Sequence, residues 1–282
     1  MAVDESRTQI DLRLLNESRL RPSTRRALSI RDEVRLREAE SEFLARECAE
    51  VAPLAATAPS EPAAFMKWYE NLRETGPGQN DPLFPWLASH ATLDQVRWFL
   101  TQEVAGEAGF DDLVALPQLK MPVRPKLELA RNYWDEMGRG KQSGMHGPML
   151  DRLARELGVD ASDEPIVPEA IALSNLLVGL AANRHYAYHS LGALGAIELT
   201  APGRAAHVDA ALTRFGIGTK TKQYYALHAV LDVKHSAAWN SEVIAPIVAT
   251  DRTLCRPIAE GALMRLNAGA KCFARYRSHF GL

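Results

Sequence analysis

Apolar positions along this chain recur at three- and four-residue intervals, and no stretch shows the period-two alternation of a half-buried strand. The pattern predicts an all-α protein. A charged amphipathic helix is expected at 31–50 (RDEVRLREAESEFLARECAE), followed by a joint rich in Pro and Ala at 52–63. Further helices are predicted at 63–75, 92–116, 124–137, 146–157, 167–200, 203–214, 219–239 and 250–278. The stretches TGPGQNDP, PQLKMPVRP, GRGKQSG and FGIGTK punctuate them. The first thirty residues read as an arm or a loosely packed helix. No internal repeat of solenoid period is present. The organisation expected is an N-terminal helical extension, 1–62, and a helical domain, 63–282, of seven or eight core helices.

One predicted helix carries polar residues where apolar ones would serve. In HAVLDVKH, residues 228–235, the side chains of His228, Asp232 and His235 are spaced i, i+4, i+7. At about 100° per residue they fall within roughly 60° of one another and form one stripe. The neighbours Leu227, Val230, Leu231 and Val233 predict burial on several sides, where an unpartnered carboxylate costs free energy. A metal ion would remove that cost; the alternative is a set of core histidines hydrogen-bonded to other helices. Separate helices offer matching donors. Glu136 ends RPKLELARNYWDE, His146 opens the helix after a glycine-rich turn, and Glu198 stands late in a long apolar helix. Glu103 and Glu107 form an i, i+4 pair on another. Mixed imidazole and carboxylate ligation suits iron or manganese, and in bundles such sites are built from inward-facing side chains of facing helices.

The order and spacing of these residues, carried by DEMGRG, MHGPMLDRLARELG, GALGAIELT and HAVLDVKHSAAW, resembles the heme-oxygenase-like diiron oxidases and oxygenases, which are iron-containing redox enzymes. The resemblance spans about 92–250. It implies a seven-helix heme-oxygenase-like bundle that holds two ferrous ions per chain in place of heme, with O2 as cosubstrate reduced to a peroxide between the irons. It implies Glu136, His146, Glu198, His228, Asp232 and His235 as metal ligands. The carboxylate of the first core helix is matched best by Glu103, with Glu107 one turn later as the fallback. No catalytic side chain beyond the ligands is expected. Members of the family oxygenate amine or guanidine nitrogens, or cleave C–C bonds of amino acids and fatty acids. The carboxylate-rich ligand set favours N-oxygenation of a small amine or amino acid. An external electron donor and a homodimer are further expectations. A non-enzymatic metal- or partner-binding bundle is the reading from another class, and clustered carboxylates would sit badly against a heme.

Composition narrows the partners. The 282 residues are 46% hydrophobic and 24% charged, with a net charge of -2 and the two signs interspersed, so nothing provides an electrostatic footprint for nucleic acid. No apolar run approaches bilayer length. The basic residues Arg21, Arg25 and Arg26 lack the apolar region of a signal peptide. Three scattered cysteines, Cys48, Cys255 and Cys272, give no disulfide framework, and a reducing cytoplasm is expected. His185 and His189 are spaced to hold a metal, but Tyr186 stands where a zinc-protease motif needs Glu, which favours a supporting or structural role. His90, His207 and His279 read as solvated. Gly138 and Gly140 lie in a flexible turn, and Tyr133, Trp134, Tyr224 and Tyr225 read as core aromatics bordering the site. Arg184, Lys222 and Arg277 are cations that could meet a substrate carboxylate, with nothing in their spacing to select one.

Overall fold

Helices begin where the sequence supplies caps. Ser29 accepts from the Asp32 amide to open α2 (Ile30–Ala55), and Glu61 accepts from Ala63 and Ala64 to open α3 (Pro62–Thr75), which has proline in its first turn. The computed structural model describes residues 2–24, 28–106, 109–159 and 165–282. Before α2 comes α1 (Ala2–Leu20). After α3 follow α4 (Leu83–Ser89), α5 (Leu93–Gly106), α6 (Phe110–Ala115), α7 (Val123–Glu136), α8 (His146–Leu157), α9 (Pro168–Ala182), α10 (Ala187–Arg214) and α11 (Gln223–Ala238). A π-helical turn, Trp239–Ile244, leads to α12 (Ala245–Thr250) and α13 (Cys255–Phe280). Among the described residues there is no strand, and none of the helices is long and apolar enough to cross a membrane.

The bundle is organised around α10, which packs against α13, α11, α4 and α9. Its approach to α13 is backbone to backbone. A side chain on Gly192 would start 2.0 Å from the Ile258 carbonyl oxygen, and one on Gly261 would start 1.9 Å from that of His189. Only glycine permits so short a distance, and the contact fixes the helix that carries Glu198. Trp239 donates to the Leu191 carbonyl at 3.2 Å and Tyr69 to that of Gly192 at 2.8 Å, which ties the π-helical turn and α3 to the same stretch of α10.

Three sequence expectations change. The stretch 167–200 is broken at Asn183, whose side chain accepts from the His185 amide and turns the chain through a short 3-10 segment. The helix then runs without a stop to Arg214, through Pro202, where two helices were expected. Proline at 202 leaves the Glu198 carbonyl without its intrahelical donor, but Leu199, Ala205, Val208 and Leu212 remain buried on both sides and hold the helix together. The stretch 92–116 ends as a helix at Gly106 and resumes at Phe110 after Gly109, which adopts a left-handed conformation. The N-terminal residues are not a loose arm: Leu12 and Leu15 are buried, Asn16 donates to Asn175 at 2.8 Å, and Arg19 pairs with Glu40 at 2.6 Å.

The fourth difference concerns α11. Val230 and Val233, expected to be buried, are 66% and 54% exposed, whereas Asp232 and His235 are 2% and 7% exposed. This helix turns its valines to solvent and its acid and imidazole groups to the interior.

Candidate metal centre

The site begins with a closed loop. Between Glu136 at the end of α7 and His146 at the start of α8, Gly138, Arg139 and Gly140 all have positive φ, and Met137 and Met145 pair as an isolated antiparallel bridge. Two residues ten apart in sequence are thereby set side by side: Glu136 Oε2 lies 2.6 Å from His146 Nδ1. From α11, His228 joins them, and donor atoms of Glu136, His146 and His228 all lie within 4.8 Å of one another. A second trio of the same compactness consists of Glu136, Glu198 and His235. Here His235 Nδ1 is 3.5 Å from Glu198 Oε1 and 3.9 Å from Glu136 Oε1. Asp232 Oδ1, on the same stripe, is 3.9 Å from that nitrogen. The two trios share Glu136, one oxygen of which faces His146 and the other His235.

These donors converge without satisfying one another. His146 Nδ1 and His235 Nδ1 are buried and have no hydrogen-bond partner despite the carboxylate oxygens close by. Buried polar atoms are ordinarily paired, so this arrangement fits residues that share a cation. Groups outside the trios orient them. Asn132, one turn before Glu136, donates to Glu198 Oε1 at 2.7 Å. The Tyr224 carbonyl lies 2.7 Å from His228 Nδ1, which fixes the proton there and leaves the Nε2 lone pair available to a metal. Asp135 Oδ2 lies 3.3 Å from His235 Nε2 and is itself held by Arg139 at 2.6 Å. Carboxylate and carbonyl partners on the far nitrogen are the usual support of a metal-binding imidazole.

Electrostatics separate the three histidines. Burial, together with the charge of His235, depresses His146 to about 4, and burial with the charge of His146 does the same to His228. Both are neutral and available as ligands at physiological pH. Burial also acts to lower His235, but the carboxylates of Glu198, Glu136 and Asp135 prevail and carry it up to about 9. Glu136 is pushed well above the usual carboxylate range by burial and by the charge of Glu198. One added cation would relieve that repulsion and displace the His235 proton.

The remaining expected residues fall elsewhere. Glu103 lines a cavity of about 100 Å³ next to the centre but belongs to neither trio; it interacts with Arg204, Arg265 and Tyr276. Glu107 lies outside the described residues. Asp111, on α6, is closer to the trios in its interactions. Burial raises its carboxyl, its charge acts on both His146 and Glu136, and its Oδ2 lies 3.0 Å from where a side chain on Gly147 would begin. Sequence reasoning passed over Asp111, Asn132 and Asp135, although Asn132 and Glu136 share the i, i+4 face of α7. Tyr224 and Tyr225 line the cavity, and Trp134 is 53% exposed. His185 is exposed. His189 instead meets Glu260 at 3.3 Å beside Cys48, in a cluster whose carboxylate is neutralised by Arg256 at 2.5 Å. Arg184 binds the Leu116 and Leu119 carbonyls, Lys222 binds Asp209 at 2.7 Å, and Arg277 pairs with Asp81, so none of the three faces the cavity.

A helical bundle whose inward carboxylates and imidazoles converge in this way offers the donor set of a metal-binding protein. Residues 97–270 match the family model of iron-containing redox enzymes, which covers more than half of the chain, and the chain belongs to that family. No curated protein matches it.

Proposed function

We propose that the enzyme is a non-heme diiron oxygenase of a small amine or amino acid, and that Glu136, common to the two trios, would with His146, His228, Glu198, His235 and the adjacent Asp232 hold two ferrous ions. Glu103 on α5 and Asp111 on α6 are the further carboxylates that could join the set, Glu103 from the cavity lining and Asp111 from the His146 side. The observation that carries this reading is the shared glutamate, with its two oxygens turned to two separate donor groups. When bound, ferrous ions supply electrons and open coordination positions for O2.

The chain's own residues do the rest. The Tyr224 carbonyl and Asp135 hold His228 and His235 in the tautomers and orientations that present a lone pair to the metal. Asn132 keeps Glu198 turned inward. Phe84, Phe99, Phe110, Leu150 and Ile197 wall the adjoining cavity and exclude bulk water from the reacting groups. At about 100 Å³ the cavity takes a small molecule and not a long acyl chain. Glu198 and Asp232 on its lining attract an amine. Conversion of an N–H to an N–OH takes one oxygen atom of O2; the other leaves as water with two protons and two electrons from an external donor. A homodimer in the cytoplasm is the expected setting.

Anaerobic titration should saturate near two ferrous ions per chain in the wild type and near one in His228→Ala and in His235→Ala, with tight binding lost in Glu136→Ala. Unchanged stoichiometry in Glu136→Ala would overturn the shared role of Glu136. Oxygen uptake stimulated by amines should yield hydroxylamine products; carbon dioxide or a shortened chain would establish C–C cleavage in place of N-oxygenation.

A further inference from the structure

A second convergence of metal-competent side chains lies at the start of α10, roughly 13 Å along the helix from Glu198, and shares no residue with the centre. Cys48 on α2, His189 in the first turn of α10 and Glu260 on α13 each place a donor atom within 4.8 Å of the other two. His189 Nε2 lies 3.3 Å from Glu260 Oε2, and the Cys48 thiol hydrogen-bonds the same carboxylate. Sequence spacing pairs His189 with His185. In the fold the Tyr186 ring packs against both imidazoles, with centroids 4.9 and 5.1 Å apart, and His189 turns to α2 and α13 instead.

The scaffold holds these groups in register. A side chain on Gly261, next to Glu260, would begin 1.9 Å from the His189 carbonyl oxygen, so α10 and α13 meet backbone to backbone at this level. Arg256 ties α2 to the pair by donating to the Ala52 carbonyl at 3.2 Å, one turn beyond Cys48. The same guanidinium meets Glu260 Oε1 at 2.5 Å, which engages one oxygen of the carboxylate and leaves the other facing His189. His189 Nδ1 is buried and has no hydrogen-bond partner among the described residues. Buried polar atoms are ordinarily paired, so hydrogen bonding within the cluster does not account for this nitrogen. Burial draws His189 below its ordinary value, which keeps the imidazole neutral with a lone pair to give.

We infer that Cys48, His189 and Glu260 form a second metal site, for zinc, separate from the iron centre and independent of the diiron reading. The donor set selects the metal. Thiolate is a soft ligand that favours zinc over ferrous iron, whereas the two trios of the main centre offer only carboxylate and imidazole. One sulfur, one nitrogen and one oxygen are three of the four donors of a tetrahedral zinc ion, which lie roughly 3.3 to 3.8 Å from one another. The contact of His189 with Glu260 already has that length. All three residues are partly exposed, so solvent takes the fourth position. On binding, the thiol proton leaves to solvent, and thiolate and carboxylate together balance the two charges of the ion. Because the ligands come from three helices, the ion clamps α2 to the pair formed by α10 and α13.

The test uses the full chain, loaded anaerobically with ferrous iron and then titrated with cobalt, which occupies zinc sites and absorbs in the near ultraviolet through sulfur-to-metal charge transfer when a thiolate binds it. The wild type should develop this band and lose it again when zinc is added. In Cys48→Ser, which keeps the side-chain size and retains Cys255 and Cys272, the band should be absent while ferrous iron binds as in the wild type. In His189→Ala the band should need about tenfold more cobalt or greater. Circular dichroism of each variant checks that the fold is kept. The trios of the iron centre contain no sulfur, so the band reports on this cluster whatever the iron centre holds. No band in the wild type, a band that survives in Cys48→Ser, or one that zinc does not bleach overturns the inference.

Discussion

Replacing Asp135 with Asn removes a single charge from behind the metal centre without changing side-chain size. Two effects on iron affinity then oppose each other. Asp135 holds His235 Nε2 at 3.3 Å, and loss of such a partner costs roughly 10- to 100-fold in metal affinity, or about 1.4 to 2.7 kcal/mol. Against this, His235 is protonated near neutrality because its pKa stands at about 9, and iron must displace that proton. The displacement costs about 1.4 kcal/mol for each unit by which the pKa exceeds the pH, roughly 2.7 kcal/mol at pH 7. Asp135 is one of the carboxylates that raise this pKa, so Asn lowers it and returns part of the penalty. The ion pair of Asp135 with Arg139 enters little, since Arg139 is 70% exposed and such pairs are worth at most about 1 kcal/mol. The variant should therefore bind iron only about tenfold more weakly at pH 7. At pH 8.5, where the wild type has shed most of the proton penalty and the variant has less left to shed, the deficit should widen. Anaerobic competition with a chelator at the two pH values measures both quantities. A deficit that narrows as pH rises, or affinity unchanged at both values, would refute the role given to Asp135.

Two further outcomes follow from the same geometry. In metal-free protein the folded pKa of His228 is about 4 against an ordinary 6.5, so the folded form binds fewer protons than the unfolded one between those values. Its contribution is present above pH 6.5 and is lost as pH falls toward 4, at about 1.4 kcal/mol per unit; chemical denaturation of His228→Asn should show a correspondingly shallower acid decline, and parallel profiles would contradict the shift. Gly138→Ala should destabilise the fold by about 1 to 3 kcal/mol and weaken iron binding, because φ is +60° there and the new methyl group would lie 2.3 Å from the Gly144 carbonyl carbon in the loop that sets Glu136 beside His146. Full stability with full iron affinity would show that the loop does not position the two residues.

The residues that sequence reasoning found are those whose surroundings made them conspicuous. A carboxylate among Ala, Ile and Leu, as at Glu198, or three polar groups on one helical stripe, as at 228–235, stand out because burial penalises them. The fold does bring Glu136, His146, Glu198, His228 and His235 into two compact trios, with Asp232 beside them. Asp135 and Asn132 gave no such signal, since an acid or amide late in a charged helix is ordinarily solvated and only the tertiary contacts with His235 of α11 and Glu198 of α10 turn them inward. Glu103 matched the donor of the first core helix by spacing, which cannot show a residue's neighbours; in the fold it lines the cavity beside the centre and interacts with Arg204 and Arg265 on other helices. The break at Gly109, which the periodic pattern ran through, is what frees Asp111 to approach His146. Pro202 misled in the opposite sense: the local rule ends a helix there, and burial of both flanks overrides it.

The inverted burial of α11 has a consequence for anyone who reshapes this protein. Selection for thermal stability, or sequence redesign guided by the rule that apolar residues face inward, would favour a half-turn of this helix that swaps Val230 and Val233 for Asp232 and His235. The orientation of α11 buries groups suited to a metal ion and does not follow oil-and-water partition. Libraries screened on the metal-free protein will therefore drift toward variants that are more robust and inert, and a screen that keeps iron present throughout is the one that preserves the helix in its working rotation.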